Sequence, residues 1–334
     1  MVENRHHQLG LSDETVLEMY RMMVLTRRLD ERMWVLNRAG KIAFVISGQG
    51  HEAAQIGAAF ALDRTKDYCL PYYRDLGVVL SFGMTAKEIM LNAFGKAEDP
   101  NSGGRQMPAH FSQRKNRIVT HSSPVTTQVP HAAGFALAAK LENKDFVTFV
   151  SFGEGSSNQG DFHEGANFSG VHKLPVIFFC ENNGYAISVP LEKQLASKRV
   201  ADRASGYGMP GFTIDGTDPL EVYRVVKAAR DRAVRGEGPT LIEVLVHRLT
   251  SHSSDDDERS YRDPEEIKKI REFDPIRKFN HYLRSVHLLD DDLENKLEEE
   301  IARIVDEATE YAEKAPYPAP ETMEKFVYKE EGDV

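Results

Sequence analysis

The chain has 334 residues of ordinary composition, enough for one large α/β domain or two smaller ones. Its net charge of −10, with no basic block, disfavours nucleic-acid binding. Two cysteines, Cys69 and Cys180, offer no disulfide framework and no paired metal spacing. No apolar run reaches the length of a membrane span or forms a signal core, so a soluble, cytoplasmic protein is expected.

Residues 1–10 are polar and read as loose. Ser12 caps a predicted helix that runs to Ala39 and stops at Gly40, with Leu11 and Val16 placed as a hydrophobic staple. Leu17, Tyr20 and Val24 follow helical spacing. Arg27, Arg28 and Arg32 read as a solvated or partner-facing surface. The segment SGQGHEAAQIGAAFAL, residues 47–62, opens with glycines and continues as an alanine-rich helix. His51 at its start is either structural or reaches a ligand. In LPYYRDLG, residues 70–77, Arg74 either binds phosphate oxygens or pairs with Asp75 at the surface. Thr85 and Glu88 form a capping box for a helix ending near Gly95. Residues 96–120 form a long polar loop carrying His110, whose role nothing fixes. HSSPVTTQVPH, residues 121–131, is a Ser/Thr-rich entry to a helix predicted over Ala132–Leu141.

Two apolar runs then carry the main signal. Phe146–Phe152 ends at Gly153-Glu154-Gly155, and Leu174–Cys180 ends at Glu181-Asn182-Asn183-Gly184. Short β-rich runs about one helix apart predict a βαβ unit with parallel strands. Parallel strands bring their carboxyl ends to one edge, where open α/β sheets bind ligands. Glu154 and Asn183 should meet there. A carboxylate, an amide oxygen and loop carbonyls suit a hard cation of the magnesium class, and glycines let backbone approach phosphates. Cys180 reads as a buried thiol.

Downstream, residues 189–211 form a mixed loop with Arg199, Asp202, Arg203 and Tyr207. A strand is predicted at Phe212–Ile214, and a helix from Asp218-Pro219 to Arg235 with Gly236 as its stop. Thr240–Val246 is a further apolar strand. HRLTSHSSDDDERSYRD follows it and reaches the same sheet edge, bringing His252 within range of a ligand. Beyond Asp263 the pattern is helical and charged. Leu289–Ala315 reads as a long surface helix whose acid run is a solvated face.

The Gly-Glu-Gly and Asn-Asn pair, with GDFHEGANF and ENNGYAIS around it, resembles the thiamine diphosphate signature. Over nearly its whole length the chain is similar to the alpha subunit of the decarboxylating component of 2-oxo acid dehydrogenase complexes, branched-chain (2-oxoisovalerate) type. That resemblance implies a three-layer α/β fold, with a parallel sheet flanked by helices and helical extensions at both ends. It implies a helical arm over 1–45, a diphosphate-binding domain over 46–272 and a helical extension over 273–334. The implied activity is oxidative decarboxylation, with acyl transfer to the lipoyl group of an acyltransferase component.

The resemblance also assigns residues. Glu154 and Asn183 become side-chain ligands of magnesium, joined by the Tyr185 carbonyl. Tyr73, Arg74 and His252 hold the diphosphate, and His252 is the catalytic candidate. Gly155 and Ser156 offer backbone amides, while Ser123 and Val125 line the cofactor. Ser122, Pro124, Thr127 and Gln128 match a loop that binds potassium. Arg248 matches a loop-anchoring arginine, and Ser253 a position phosphorylated in animal relatives. Two departures stand out: Tyr72 replaces a glutamine of some relatives, and Glu181 replaces an arginine that touches phosphate. The glutamate that activates the cofactor belongs to a second domain absent from this sequence, so the resemblance implies a beta subunit in an α2β2 heterotetramer. Pyruvate or acetoin-type substrates, a transketolase-like half-chain using HFSQRKNR for a substrate phosphate, and a non-catalytic binding subunit are the alternatives. A Rossmann dehydrogenase is weaker, because Glu154 puts an acid where a pyrophosphate would sit.

Overall fold

The computed structural model describes residues 4–325 and 327–328. Residues 1–3, 326 and 329–334, at the outer ends of the two predicted helical arms, lie outside the described residues. In chain order the first half holds α1 (Arg5–Gln8), α2 (Asp13–Arg38), α3 (Glu52–Ala61), β1 (Tyr68–Leu70), α4 (Leu76–Ser81), α5 (Ala86–Ala93) and α6 (Gln128–Leu141). The centre holds β2 (Thr148–Gly153), α7 (Gly160–His172), β3 (Val176–Asn182), β4 (Tyr185–Ala186), β5 (Val189–Pro190) and β6 (Gly211–Asp215). Then come α8 (Pro219–Val234), β7 (Thr240–Leu245), α9 (Pro264–Ile270), α10 (Pro275–Ser285) and α11 (Asp291–Lys314).

Five strands form one parallel sheet in the order β1-β2-β3-β7-β6. The central strands are buried on both faces, which is why they read as unbroken apolar runs. Period-two alternation divides their side chains. Phe149, Ile177, Phe179 and Ile242 join the core under α2, α3, α5 and α8, whereas Val150, Phe152, Val176 and Phe178 join a second core under α6 and α7. Helices therefore cover both faces, giving the three-layer α/β architecture expected. The β2–α7–β3 unit runs as predicted, with Gly153 paired to Glu181 in register.

Local signals explain most element ends. The Ser12 hydroxyl accepts the Thr15 amide, and Leu11 and Val16 are both buried beside it. Thr85 and Glu88 form the reciprocal capping box. Asp218 caps α8, with Pro219 at its first position. Helix α6 begins at Gln128, four residues earlier than its alanine run suggests. Pro130 sits in its first turn, where an amide has no helical partner anyway. Strand β1 was not foreseen: three residues are too few for a periodic signal.

The arginines of α2 differ from their solvated reading. Arg27 is buried and bridges Glu52 and Asp274, at 2.6 and 2.9 Å. Arg28 and Arg32 pair with Glu298 and Asp306 on α11. That helix turns Leu297, Ile301, Val305, Ala308 and Ala312 inward, and its acids meet α2 rather than bulk water alone.

Candidate active site

Both strand tips deliver their residues to one cavity of about 330 Å³. Its walls include Tyr73, Arg74, Ser123, Val125, Glu154, Gly155, Ser156, Asn183, Tyr185 and His252, drawn from five separated segments. Glu154 follows β2, and Asn183 follows β3. The Asn183 amide donates to Glu154 Oε2 at 3.2 Å, so the two positions are neighbours on the same edge. Asn183 Oδ1 accepts the Tyr185 amide at 3.2 Å, a local turn that fixes its side chain. Gly184 has φ +86°, a left-handed value that lets the chain reverse there.

Two buried polar atoms of the cavity wall lack a partner. Glu154 Oε1 is one, and burial pushes the Glu154 carboxyl upward despite the Asn183 amide and Arg74 nearby. Arg74 Nε is another. Arg74 is almost wholly buried and donates to the Ser47 carbonyl and, at 3.3 Å, toward His252 Nδ1. It does not pair with Asp75, whose carboxylate accepts from Ser151 and from the Tyr72 amide instead. Burial, then Arg74 and Arg248, lowers the His252 imidazole to about 4. Its ring is therefore neutral over the ordinary pH range, leaving it free to accept or donate one hydrogen bond.

The loop that carries His252 is fastened at several points. Asp256 accepts the His252 amide at 2.7 Å and the Tyr261 hydroxyl at 2.5 Å. Arg248 donates to Tyr261 at 2.6 Å and to the Ile187 carbonyl at 3.1 Å, in line with an anchoring role. Ser253 is buried, and its hydroxyl accepts the Asp255 amide.

The SSPVTTQ segment turns back on itself beside the cavity. The Ser122 hydroxyl meets Thr127 Oγ1 and lies 2.8 Å from the Pro124 carbonyl. Gln128 donates to the Ser151 carbonyl at 3.0 Å, while its buried Oε1 has no partner. The oxygens of Ser122, Pro124 and Thr127 are thus gathered in one turn, held together by the two hydroxyls donating to the Pro124 carbonyl.

Sequence reading missed the layer behind the cavity. Glu181 points away from it, because strand parity turns residue 181 toward α3. There Glu181 Oε2 accepts from His51 Nδ1 at 2.5 Å, Tyr72 at 3.1 Å and Gln55 at 3.2 Å. Tyr72 thus makes a defined side-chain contact as well as lining the cavity. Burial and Arg74 hold His51 well below its usual value, so this contact joins a neutral imidazole to an acid rather than forming an ion pair. Alternation along Leu174–Cys180 could have placed Glu181 on the α3 side. HFSQRKNR stays outside the cavity: Gln113 and Lys115 bond Glu88, and Arg117 lies over Tyr68.

Residues 20–321 match the model of the dehydrogenase E1 component. The chain belongs to that family. It is 65% identical over 328 residues to the 2-oxoisovalerate dehydrogenase subunit alpha of Bacillus subtilis, covering 98% of this chain and 99% of that one. The human mitochondrial 2-oxoisovalerate dehydrogenase subunit alpha is 39% identical over 96% of this chain and 72% of its own. A pyruvate dehydrogenase E1 component subunit alpha from Bacillus cereus is also 39% identical, over 92% of this chain and 80% of its own. The cavity lies at the carboxyl edge of the doubly covered parallel sheet, the edge where such sheets generally bind ligands. Among the described residues, no helix is long and apolar enough to cross a membrane.

Proposed function

We propose that this E1 component is the alpha subunit of a thiamine diphosphate-dependent branched-chain 2-oxo acid dehydrogenase, acting on 3-methyl-2-oxobutanoate. The observation that carries the reading is the convergence of Glu154, Asn183, Arg74 and His252 on one cavity with partnerless buried atoms. The likeness to the B. subtilis 2-oxoisovalerate subunit, at 65%, supports that substrate over pyruvate, for which the relative is 39% identical. Tyr73 also lines a separate, small apolar hollow with Phe44, Ile46, Ile89 and Phe111.

The residues present fit the cofactor and its ions. Glu154 Oε1 and Asn183 Oδ1, with the Tyr185 carbonyl, would hold magnesium. Arg74 and Tyr73, with the amides of Gly155 and Ser156, would hold the diphosphate. Ser122, Pro124, Thr127 and Gln128 would hold potassium, and Val125 and Ser123 would flank the cofactor. When bound, thiamine diphosphate would supply a nucleophilic carbon and an electron sink for decarboxylation of a 2-oxo acid. The chain would orient that group and would offer His252, in the cavity wall, as a hydrogen-bond partner for phosphate or the reacting acyl unit.

The partition follows from this reading: a diphosphate-binding domain over 46–272, with helical arms over 1–45 and 273–334. A beta subunit supplies the activating glutamate in an α2β2 assembly, the lipoyl-bearing acyltransferase receives the acyl group, and the complex is cytoplasmic. The deciding experiment compares decarboxylation of 3-methyl-2-oxobutanoate, pyruvate and 2-oxobutanoate by the reconstituted α–β pair. The branched acid should give the highest kcat/KM, and alpha alone should give almost none. Preference for pyruvate would overturn the substrate, and full turnover by alpha alone would overturn the partner.

A further inference from the structure

The long loop over residues 96–120 brings His110 against a residue of the cofactor cavity. Pro108, Ala109 and Phe111 line the apolar hollow. His110 instead places Nε2 2.8 Å from Oγ of Ser123, a residue of the cofactor cavity. Ala109 adopts φ +65°, a left-handed conformation that a residue with a Cβ takes only when its surroundings hold it there. The Asn92 side chain does so, accepting the Ala109 amide at 2.8 Å. His121 stacks on the His110 ring, with centroids 4.9 Å apart and planes 18° from parallel. The Ala109 carbonyl lies 3.1 Å from His121 Nε2 and fixes that ring in turn.

The partners also fix where the proton sits. Nδ1 of His110 is 3.1 Å from the Met107 carbonyl and 3.4 Å from that of Pro108. Carbonyls only accept, so Nδ1 carries a hydrogen, and in the singly protonated ring Nε2 is the nitrogen that keeps its lone pair. In that form the Ser123 hydroxyl is the donor across the 2.8 Å contact. With that proton committed, and with Ser123 in the cavity wall, its Oγ has lone pairs left to accept a hydrogen bond there.

We propose that His110 is a positioning residue that, through Ser123, presents a fixed hydrogen-bond acceptor to an N–H or O–H donor on the occupant of the cavity. This role rests on the cofactor reading above, but the tautomer and the pairing do not. If the pairing served only to hold the loop, the cavity's occupant would not sense the histidine.

The test has two arms. In the full chain labelled with 15N-histidine and free of cofactor, the His110 signal should show an unprotonated Nε2, and Ser123→Ala should shift it. A proton on Nε2, or no response to the serine, overturns the pairing. In the reconstituted α–β complex, His110→Ala and Ser123→Ala should each raise the thiamine diphosphate Kd or lower kcat/KM by about tenfold, the effect of one oriented hydrogen bond. The double variant should be no worse than either single one. His110→Gln, which places an amide oxygen near the Nε2 position, should restore most of the loss. Multiplicative losses in the double variant, or no rescue by glutamine with thermal midpoints unchanged, overturn the proposal. Absence of thiamine diphosphate binding by the unsubstituted complex would instead sink the cofactor reading and this role with it, leaving the tautomer result standing.

Discussion

Glu154 keeps one carboxylate oxygen buried and unpaired, a position that costs free energy unless something completes it. A divalent ion would do so and would relieve the cost of ionising that buried acid. Glu154→Ala should therefore abolish magnesium-dependent binding of thiamine diphosphate, read by titration with and without a chelator, and retained affinity would remove Glu154 from the site. Arg74 is held by the Ser47 carbonyl, and that loop is held by Asp30, which accepts from Ser47, the Gly48 amide and Gln49. Arg74→Lys keeps the charge but loses the planar fork, so the cofactor Kd should rise by roughly tenfold or more. Glu181 acts one layer further back. Glu181→Ala would strand three donors, from His51, Gln55 and Tyr72, and should cost about 2–4 kcal/mol in urea unfolding. Glu181→Gln keeps an acceptor and should cost clearly less; equal losses would show that the hydrogen bonds do not matter.

At the scale of elements, α2 carries more than a surface role. Its Arg27 joins Glu52 at the start of α3 to Asp274 at the start of α10, and Glu52 in turn accepts the Gly50 amide of the glycine loop. Replacing Arg27 by Met leaves two acids without their cation, one of them fully buried. Unfolding stability should fall by about 3–5 kcal/mol, measured by denaturant titration; a fall below about 1 kcal/mol would mean that Glu52 finds another partner or a proton. The same helix shows what sequence could and could not tell. Ser12, Leu11 and Gly40 bracketed it because caps and stops are local chemistry. Arg27 was misread because helical spacing gives a side chain's direction but not what packs there from distant parts of the chain. The β2–α7–β3 unit and its two tips were legible, since long apolar runs and glycine-rich ends carry their own signal. Strand β1 was not, nor was the layer of His51, Tyr72, Asp75 and Glu181, which exists only once the sheet is assembled.

That layer matters for the molecule as a whole, because it buries two acids side by side. Asp75 and Glu181 are both fully enclosed, and each has one oxygen with no donor, Oδ1 and Oε1 respectively. Burial, reinforced by Glu181, holds Asp75 well above its usual 3.8, and burial raises Glu181 too. A single proton shared between them removes most of the penalty, so folding takes up a proton that the unfolded chain would release. Stability from this proton is complete below the ordinary aspartate range and is lost as pH rises toward the raised value. Within that window the slope is about 1.4 kcal/mol per pH unit for one proton. Asp75→Asn copies the protonated form: its oxygen can still accept from Ser151 and the Tyr72 amide, and its amide can donate to Glu181. The variant needs no proton uptake there. Its urea midpoint should exceed that of the unsubstituted chain at pH 8, and the gap should close as the pH falls toward 4. Parallel stability curves across that range would mean that the two acids hold no common proton.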